Sequence, residues 1–249
     1  MGIFHGSSIS LLDRRAPFLG REGLDYAACL TADSIYTEGV ETVTPWYVPA
    51  ARGVSALALA VVITFSADHS APLGYLTLGI FAVASGAVLT ASALRLAGEG
   101  VAGTVTRPLT LAQGLITVLV GIVSLALPAG GLPFFVFLLT AFASITGFLE
   151  LYVGLRGRGR DRSSRDWVFI GALTALLAVV VLLVPPEFSQ AFVGPDNVER
   201  ALTASVIVVG ALGAYWAIFG MYLVIAGLSL RWAASEDRIA SLPAEVGSR

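Results

Sequence analysis

The sequence predicts an all-α integral membrane protein whose six transmembrane helices are arranged as three repeated helical hairpins. Three observations predict this class. Hydrophobic residues make up 56% of the 249 residues and charged residues only 13%, which is about half the charge of an average soluble protein. Six long apolar segments follow one another along the chain. An arginine and a proline recur at a nearly constant spacing in every second segment.

The six apolar segments are close to the roughly 20 residues with which an α-helix crosses a bilayer. They cover about residues 53–66, 73–94, 108–127, 133–155, 167–184 and 202–230. Their hydrophobicity is continuous instead of alternating, so helices are expected and not barrel strands. The first segment is short and is expected to begin before residue 53. The last is long enough to tilt or to project beyond the bilayer.

The repeat is defined by arginines that open the odd-numbered segments and prolines that close them. Arg52, Arg107 and Arg165 are followed by a proline 20, 21 and 20 residues later. A fixed spacing of this kind is typical of a repeated supersecondary unit. It predicts a transmembrane domain over residues 52–231. The predicted hairpins cover about residues 52–95, 107–156 and 165–231.

The segments on either side of this domain are expected to be cytoplasmic tails, residues 1–51 and residues 232–249. Fourteen of the fifteen basic residues then lie on the cytoplasmic side, and only Arg200 lies on the other. This distribution follows the positive-inside rule. The N-terminal tail is either flexible or carries an interfacial helix around Ile9–Leu19, and the sequence leaves both alternatives open.

Glycines spaced seven residues apart recur within the apolar segments. Residues at this spacing lie near one face of a helix, and glycine lets helix backbones approach closely where lipid supplies no hydrophobic driving force. These positions are therefore predicted to pack helix against helix. The candidate packing glycines are Gly79, Gly86, Gly114, Gly121, Gly147, Gly154, Gly213, Gly220 and Gly227. Gly53 and Gly171 give similar patterns with alanine in the first and fifth segments.

Glu150 is the only acidic residue inside a predicted span, about five residues from its cytoplasmic end. Carboxylates in a membrane are costly and usually face a partner or a water-filled cavity. A structural interpretation pairs Glu150 with an arginine of a neighbouring hairpin, and Arg95 or Arg107 is the predicted partner. The alternative interpretation makes Glu150 a group that binds a proton or an ion.

Several classes of function are excluded by what the chain lacks. It has no lysine, so a P-loop, a Schiff base or a lysine base is impossible. One cysteine and two histidines cannot form an intramolecular disulfide or a three-histidine zinc site. The run Gly98–Gly103 matches a dinucleotide fingerprint but joins two predicted transmembrane helices, which is the wrong context. A net charge of −2 predicts no nucleic-acid partner. No cofactor or metal is expected.

The lipid bilayer is the predicted partner. Five arginines between Arg156 and Arg165 either set the topology or also bind anionic lipid headgroups. A homo-oligomer or another membrane protein remains a possible partner. Tyr215, Trp216 and Tyr222 are predicted to pack among helices, with a cavity lining as the alternative. The segment Pro186–Arg200 is predicted to form a solvated outer loop.

Taken together, the arginine-opened, proline-turned hairpins resemble the HdeD-like family of acid-resistance membrane proteins. The resemblance rests on Arg107–Pro128 followed by Gly147-Phe148-Leu149-Glu150-Leu151, and it covers about residues 52–231. It implies a six-helix protein of the bacterial inner membrane, linked to acid or envelope stress, with no catalytic residues to transfer. The long N-terminal segment and the enlarged third outer loop depart from the family pattern.

Three classes of function are consistent with these features. The first is a non-enzymatic protein of stress response or envelope maintenance, which the sequence favours. The second is a transporter or channel for a small solute, ion or proton that uses Glu150, although the prolines near span ends do not indicate the broken helices of a midplane site. The third is a lipid-acting enzyme, for which no converging set of acid, base or metal-binding residues appears.

Overall fold

A computed structural model describes residues 45–95, 103–158, 164–193 and 199–240 of the protein. Six helices occupy most of these residues, with two short strands between the last two helices. The helices are α1 (Tyr47–Phe65), α2 (Ala71–Arg95), α3 (Gly103–Ala126), α4 (Gly131–Arg156), α5 (Ser164–Leu182) and α6 (Ala204–Ala240). Residues 1–44 of the predicted N-terminal tail, residues 96–102, the arginine-rich residues 159–163, residues 194–198 and residues 241–249 lie outside the described residues.

All six helices are long and apolar enough to cross a membrane. Large hydrophobic side chains also cover their outer surfaces: Phe137, Phe148 and Leu182 are each more than 60% exposed. Several polar side chains are instead buried between the helices. An apolar outer surface around a partly polar interior fits lipid as the surrounding solvent. The prediction of a multi-pass membrane protein with six spanning helices is confirmed.

The helix boundaries follow from proline and glycine. As expected, α1 begins before residue 53. Pro49 lies in its first turn, where backbone N–H groups have no partner within the helix, so its missing N–H costs no helical hydrogen bond. Pro108 is the sixth residue of α3, so its missing N–H removes one backbone hydrogen bond of the second turn. Gly131 begins α4 with φ +74°, a conformation that favours glycine. Its carbonyl accepts a 3.0 Å hydrogen bond from the Tyr75 hydroxyl of α2, which fixes this turn against the bundle.

Three helix pairs pack most closely: α1 with α6, α2 with α3, and α4 with α5. Glycines of the two helices meet in each of these interfaces, and a Cβ atom built on one would lie about 3 Å from the carbonyl oxygen of the other. Separations this short leave no room for a side chain. The glycine pairs are Gly53 with Gly220, Gly86 with Gly114, Gly79 with Gly121, and Gly147 with Gly171. Each glycine pair marks a level of close backbone contact, and we call Gly53–Gly220, Gly86–Gly114 and Gly147–Gly171 the glycine crossings.

The other candidate packing glycines lie along the same three interfaces. A Cβ on Gly79 would meet Leu125, one on Gly121 would meet Val83, and one on Gly154 would meet Val168. In the α1–α6 pair, Gly213 faces Ile63 and Gly227 faces Ala50. The predicted helical hairpins are different pairings, namely α1 with α2, α3 with α4, and α5 with α6. The two helices of each such hairpin share a much smaller contact. The contacts therefore do not confirm the hairpin repeat.

An apolar core fills the space between the helices beside a polar layer. The largest fully buried side chains come from α2, α4 and α6, where Trp216 packs 5.2 Å from Phe81 between ring centroids. Phe81 also meets Phe219 edge to face at 5.8 Å. Such aromatic contacts supply packing energy beyond the area they bury. Trp216 therefore packs among helices as predicted.

The connection between α5 and α6 is exposed, as predicted, but it contains two short strands that the sequence analysis did not predict. Residues Ser189–Val193 (β1) and Glu199–Thr203 (β2) pair as antiparallel strands, with Ser189 opposite Thr203. The pairing follows the candidate span of α5 and leads directly into α6. A hairpin satisfies part of the backbone hydrogen bonding locally, and alternating periodicity over only five residues is a weak signal in a sequence.

The close glycine contacts predict that even one added methyl group destabilises the bundle. At Gly147 the new Cβ would lie 2.9 Å from the Ala175 nitrogen, and at Gly220 it would lie 2.8 Å from the Gly53 oxygen. Gly147→Ala and Gly220→Ala should each cost roughly 1–3 kcal/mol, and Gly147→Leu and Gly220→Leu should cost more. Thermal unfolding in detergent micelles measures the effect.

Gly210 of α6 provides the matched control. Nothing lies within 4 Å of a Cβ built there, so Gly210→Ala should keep or slightly raise the melting temperature because alanine favours a helix over glycine. If Gly147→Ala and Gly220→Ala melt at the same temperature as Gly210→Ala, the crossings are not close-packed interfaces.

Candidate functional site

A cluster of polar side chains lies inside the bundle, and every helix contributes to it. We call it the polar cluster. Its members are Arg52 of α1, Ser85 of α2, Gln113 of α3, Glu150 of α4, Thr174 of α5 and Tyr215 of α6. All six are buried, and Glu150 is only 2% exposed. Hydrogen bonds join them into one connected network that crosses the whole bundle.

The carboxylate of Glu150 is the centre of this network. Its Oε1 accepts a 3.1 Å hydrogen bond from Arg52 Nη2 and a 2.8 Å hydrogen bond from the side-chain amide of Gln113. Its Oε2 lies 3.2 Å from the hydroxyl oxygen of Thr174, which in turn lies 2.9 Å from the Tyr215 hydroxyl. Both carboxylate oxygens therefore have protein partners, which a buried charge requires.

Arg52, like Glu150, makes several contacts within the protein. Its Nε donates a 2.8 Å hydrogen bond to the Ser85 hydroxyl, and its Nη2 forms the salt bridge to Glu150. The guanidinium carbon lies 5.4 Å from the centre of the Phe219 ring, a cation–π distance. The pair carries no net charge. An enclosed charge is tolerable when its partner and its hydrogen bonds are all supplied by the protein.

The structure corrects the predicted partner of Glu150, which is Arg52 and neither Arg95 nor Arg107. Arg95 is exposed at the end of α2. Arg107 is partly buried, and its Nε donates to the Ala93 carbonyl oxygen across the α2–α3 interface. The prediction placed Arg52 at the start of a span, where an arginine would set topology. In the structure it is the sixth residue of α1 and is 6% exposed.

The three glycine crossings bring the polar cluster together. Arg52 directly precedes Gly53, and Gln113 directly precedes Gly114. Ser85 directly precedes Gly86, whereas Glu150 and Thr174 each lie three residues after the crossing glycine of their own helix, Gly147 and Gly171. Positions one before and three after a residue lie near the same helix face. Side chains next to the crossings therefore meet at one level of the bundle.

Aligning the helices on their arginines hides this relationship. Arg107 lies seven residues before its crossing glycine and Arg165 six residues before, but Arg52 lies only one residue before Gly53. Arg52 is therefore not equivalent to the two other arginines. Ser85, Gln113 and Thr174 were not among the predicted site residues, since a single serine, threonine or glutamine in an apolar helix does not by itself indicate a site. Their position beside the glycines is the signal that could have found them.

The space around the polar cluster is small. It is lined by the six members of the cluster and by apolar or hydroxyl side chains such as Phe142 and Thr146. It admits roughly one water molecule. An arrangement of this size can hold a proton, a water molecule or the carboxylate end of a small ligand. Within the described ranges, no group of three histidine, cysteine, aspartate or glutamate side chains is placed to hold a metal ion.

A second cavity reaches Arg52 from the outside of the bundle. It lies between the first turns of α1 and α5 and the C-terminal half of α6, and we call it the crevice. Its free volume is about 40 Å³, and it opens outward. Its lining includes Pro49, Trp167, Ile170, Leu223 and Ala226, with Arg52 and Asp166 as its charged residues. Arg52 also lines the polar cavity, so one side chain borders both spaces.

Asp166 and Tyr222 connect α5 and α6 beside the crevice. The Tyr222 hydroxyl donates a 2.6 Å hydrogen bond to the Asp166 carboxylate. The ring of Tyr222 also stacks on Phe169 with centroids 4.3 Å apart. The predicted aromatic trio thus divides: Tyr215 belongs to the polar cluster, Trp216 to the apolar core, and Tyr222 to the edge of the crevice.

Comparison with known proteins adds no relative. The chain matches none of the protein-family models, curated proteins or solved structures with which it was compared. The resemblance to the HdeD-like family therefore stays a prediction.

The polar cluster predicts strong energetic coupling between Arg52 and Glu150. Arg52→Gln or Glu150→Gln alone leaves one buried charge without its partner, which should cost roughly 3–5 kcal/mol. The double variant removes both charges and should be less destabilised than the sum of the two, with a coupling energy of roughly 1–3 kcal/mol. A double-mutant cycle of unfolding free energies in mixed micelles measures it.

The two arginines that the sequence suggested are the matched controls for this cycle. Arg95→Gln and Arg107→Gln should each be additive with Glu150→Gln to within about 0.5 kcal/mol. A coupling energy larger for Arg107 than for Arg52 would contradict the observed ion pair.

Proposed function

We propose that this chain is a non-enzymatic multi-pass protein of the bacterial inner membrane, and that the Arg52–Glu150 pair holds its six helices in one arrangement. One observation carries the proposal: a single hydrogen-bonded network takes one side chain from each helix. Because a charge that loses its partner inside a membrane is costly, every other arrangement of the helices that separates these side chains is disfavoured.

The geometry of the network supports a structural role over an enzymatic one. Both oxygens of Glu150 are already bonded to protein donors, and the adjoining space admits roughly one water molecule. A catalytic acid or base needs to reach a substrate atom. In contrast, a structural ion pair needs what is present here, a complete set of internal partners and little free volume.

The physiological part of the proposal comes from the resemblance. We propose a role in acid or envelope stress, with both termini in the cytoplasm and the arginines of 156–165 close to anionic lipid headgroups. The arginine distribution supports the orientation. Arg156, Arg158 and Arg165 are exposed, which leaves them accessible to headgroups.

Glu150→Gln separates the structural role from proton transport. Glutamine keeps the shape and can still accept from Gln113, but it leaves the Arg52 charge uncompensated. We expect a large loss of thermal stability, while proteoliposomes that contain wild-type protein show no more proton flux than empty vesicles. Differential scanning fluorimetry and an enclosed pH-sensitive dye measure the two properties.

The control is Glu187→Gln, which removes an exposed carboxylate outside the spans and should leave the melting temperature unchanged. The structural role would be refuted if the wild-type protein conducted protons and the Glu150→Gln protein melted normally but conducted none.

A transporter or channel for a small solute, ion or proton is the second candidate. The observation that favours it is the position of Arg52, which borders both the crevice and the polar cavity. A charged residue shared by two cavities is a feature of substrate and proton paths in membranes. Flux that depends on Glu150 would establish this candidate.

The proposed orientation is tested by labelling single cysteines in a Cys29→Ser background. Ala67 and Glu187 are exposed between α1 and α2 and after α5, and Arg158 is exposed after α4. A membrane-impermeant maleimide should label Ala67→Cys and Glu187→Cys in intact cells and Arg158→Cys only after permeabilisation. The reverse pattern would invert the proposed topology.

A further inference from the structure

We infer that the crevice is a binding site for a small monocarboxylic acid with an apolar tail, whose carboxylate binds Arg52 while Glu150 takes up its proton. The inference uses the Arg52–Glu150 pair of the proposed function and adds a ligand to it. It rests on the lining of the crevice, on unused donors of Arg52, and on a second protonation state that the polar cluster can satisfy.

The crevice selects the chemical class of its ligand. Its walls are mostly apolar, from Pro49, Ile170, Leu223 and Ala226, and Trp167 adds an aromatic surface. The one cation in this lining is Arg52, which is 6% exposed. Asp166 is the one anion in the lining, and its carboxylate already accepts a hydrogen bond from Tyr222. A mostly apolar pocket with a single cation in its lining orients a ligand that has an apolar body and an anionic end. A carboxylate is such an end, and guanidinium binds it with favourable geometry.

Arg52 has N–H donors that none of the described residues uses. Its hydrogen bonds to described residues use Nε, toward Ser85, and Nη2, toward Glu150. Nη1 keeps two N–H groups that make no hydrogen bond within the part of the chain the structure describes. An arginine carries five donors in a planar fork, so it can hold Glu150 and a second acceptor at once.

Charge balance requires a proton to accompany the anion. The cluster is neutral as it stands, because Arg52 and Glu150 cancel, so a carboxylate alone would add a net buried negative charge. Entry of the neutral acid avoids this cost. Its proton passes to the Glu150 carboxylate, which becomes a carboxylic acid, and the new ligand carboxylate replaces Glu150 as the counter-ion of Arg52. The site stays neutral, and no bond other than the O–H bonds changes.

Protonated Glu150 has partners in the structure without any rearrangement of the backbone. Its Oε1 still accepts from Gln113. The new Oε2–H can donate to the Thr174 hydroxyl oxygen, while the Thr174 proton goes to the Ile170 carbonyl oxygen at 2.8 Å. The other charged or titratable groups near the two cavities are Tyr215 in the cluster and the Asp166–Tyr222 pair at the crevice. None of them is a cation that would compete with Arg52.

The test uses butyrate as the probe, with chloride as an anion that lacks a tail and butan-1-ol as a tail that lacks a charge. In the Glu150→Gln protein, Arg52 is unpaired and the site is permanently ready for an anion. Butyrate should therefore raise its melting temperature by roughly 3 °C or more, and chloride and butan-1-ol should raise it much less. The Arg52→Gln/Glu150→Gln double variant should show no butyrate effect.

Two variants of α6 test whether the ligand occupies the crevice. Ala226→Phe fills the crevice and should abolish the effect of butyrate on Glu150→Gln. Ala217→Phe adds the same side chain at an exposed position and should leave the effect intact. Equal stabilisation by butyrate and chloride, or an effect that survives Ala226→Phe, would overturn the site.

A measurement on the wild-type protein tests the site independently, because it does not depend on whether any variant folds. When butyrate binds in weak buffer, the protein should take up about one proton for each butyrate bound. Because binding consumes a proton, the dissociation constant of butyrate should rise by up to about tenfold per pH unit between pH 6 and pH 8. Binding without proton uptake would overturn the coupling. If Glu150→Gln is destabilised but butyrate neither rescues it nor binds the wild type, the structural role stands and the ligand site is rejected.

Discussion

The fold depends on the compensation of one buried charge. Glu150 is enclosed by apolar helices, where water does not repay the cost of an ionised carboxylate, so the protein has to supply every partner. Arg52 supplies the counter-charge, and Gln113 and Thr174 supply hydrogen bonds to the two oxygens. Since these groups come from different helices, the partners that the Glu150 carboxylate needs constrain how the helices of the bundle are arranged.

Glycine makes this compensation possible. In lipid, apolar side chains gain little by leaving one apolar environment for another, so close backbone contact and interhelical hydrogen bonds have to hold helices together. The crossings at Gly53–Gly220, Gly86–Gly114 and Gly147–Gly171 provide the close contact. They also place the neighbouring side chains at one level, where the distances between helices are short enough for direct hydrogen bonds. Close packing and polar bonding are therefore two consequences of the same contacts.

The polar cluster combines rigidity with a second possible protonation state. Its connected hydrogen bonds favour one helix arrangement, whereas Thr174 can either donate to Glu150 or accept from it. Arg52 joins this chemistry to the outside of the bundle because it borders the crevice as well as the polar cavity. A structural ion pair and a ligand site are compatible here, since a ligand carboxylate and a neutral Glu150 preserve the net charge on which stability depends.

The sequence alone determined the class of protein, the number of spans and the acidic residue at the centre of the site. These properties are local: a continuous apolar segment of about 20 residues and an ionisable residue within it can be recognised without knowing any neighbour. Only the tertiary structure decided which helices pack closely and which arginine meets Glu150. The sequence paired α1 with α2, α3 with α4, and α5 with α6, but the closest pairs are α1 with α6, α2 with α3, and α4 with α5. Arg52 and Glu150 are 98 residues apart, and their contact depends on where glycines let the helices cross.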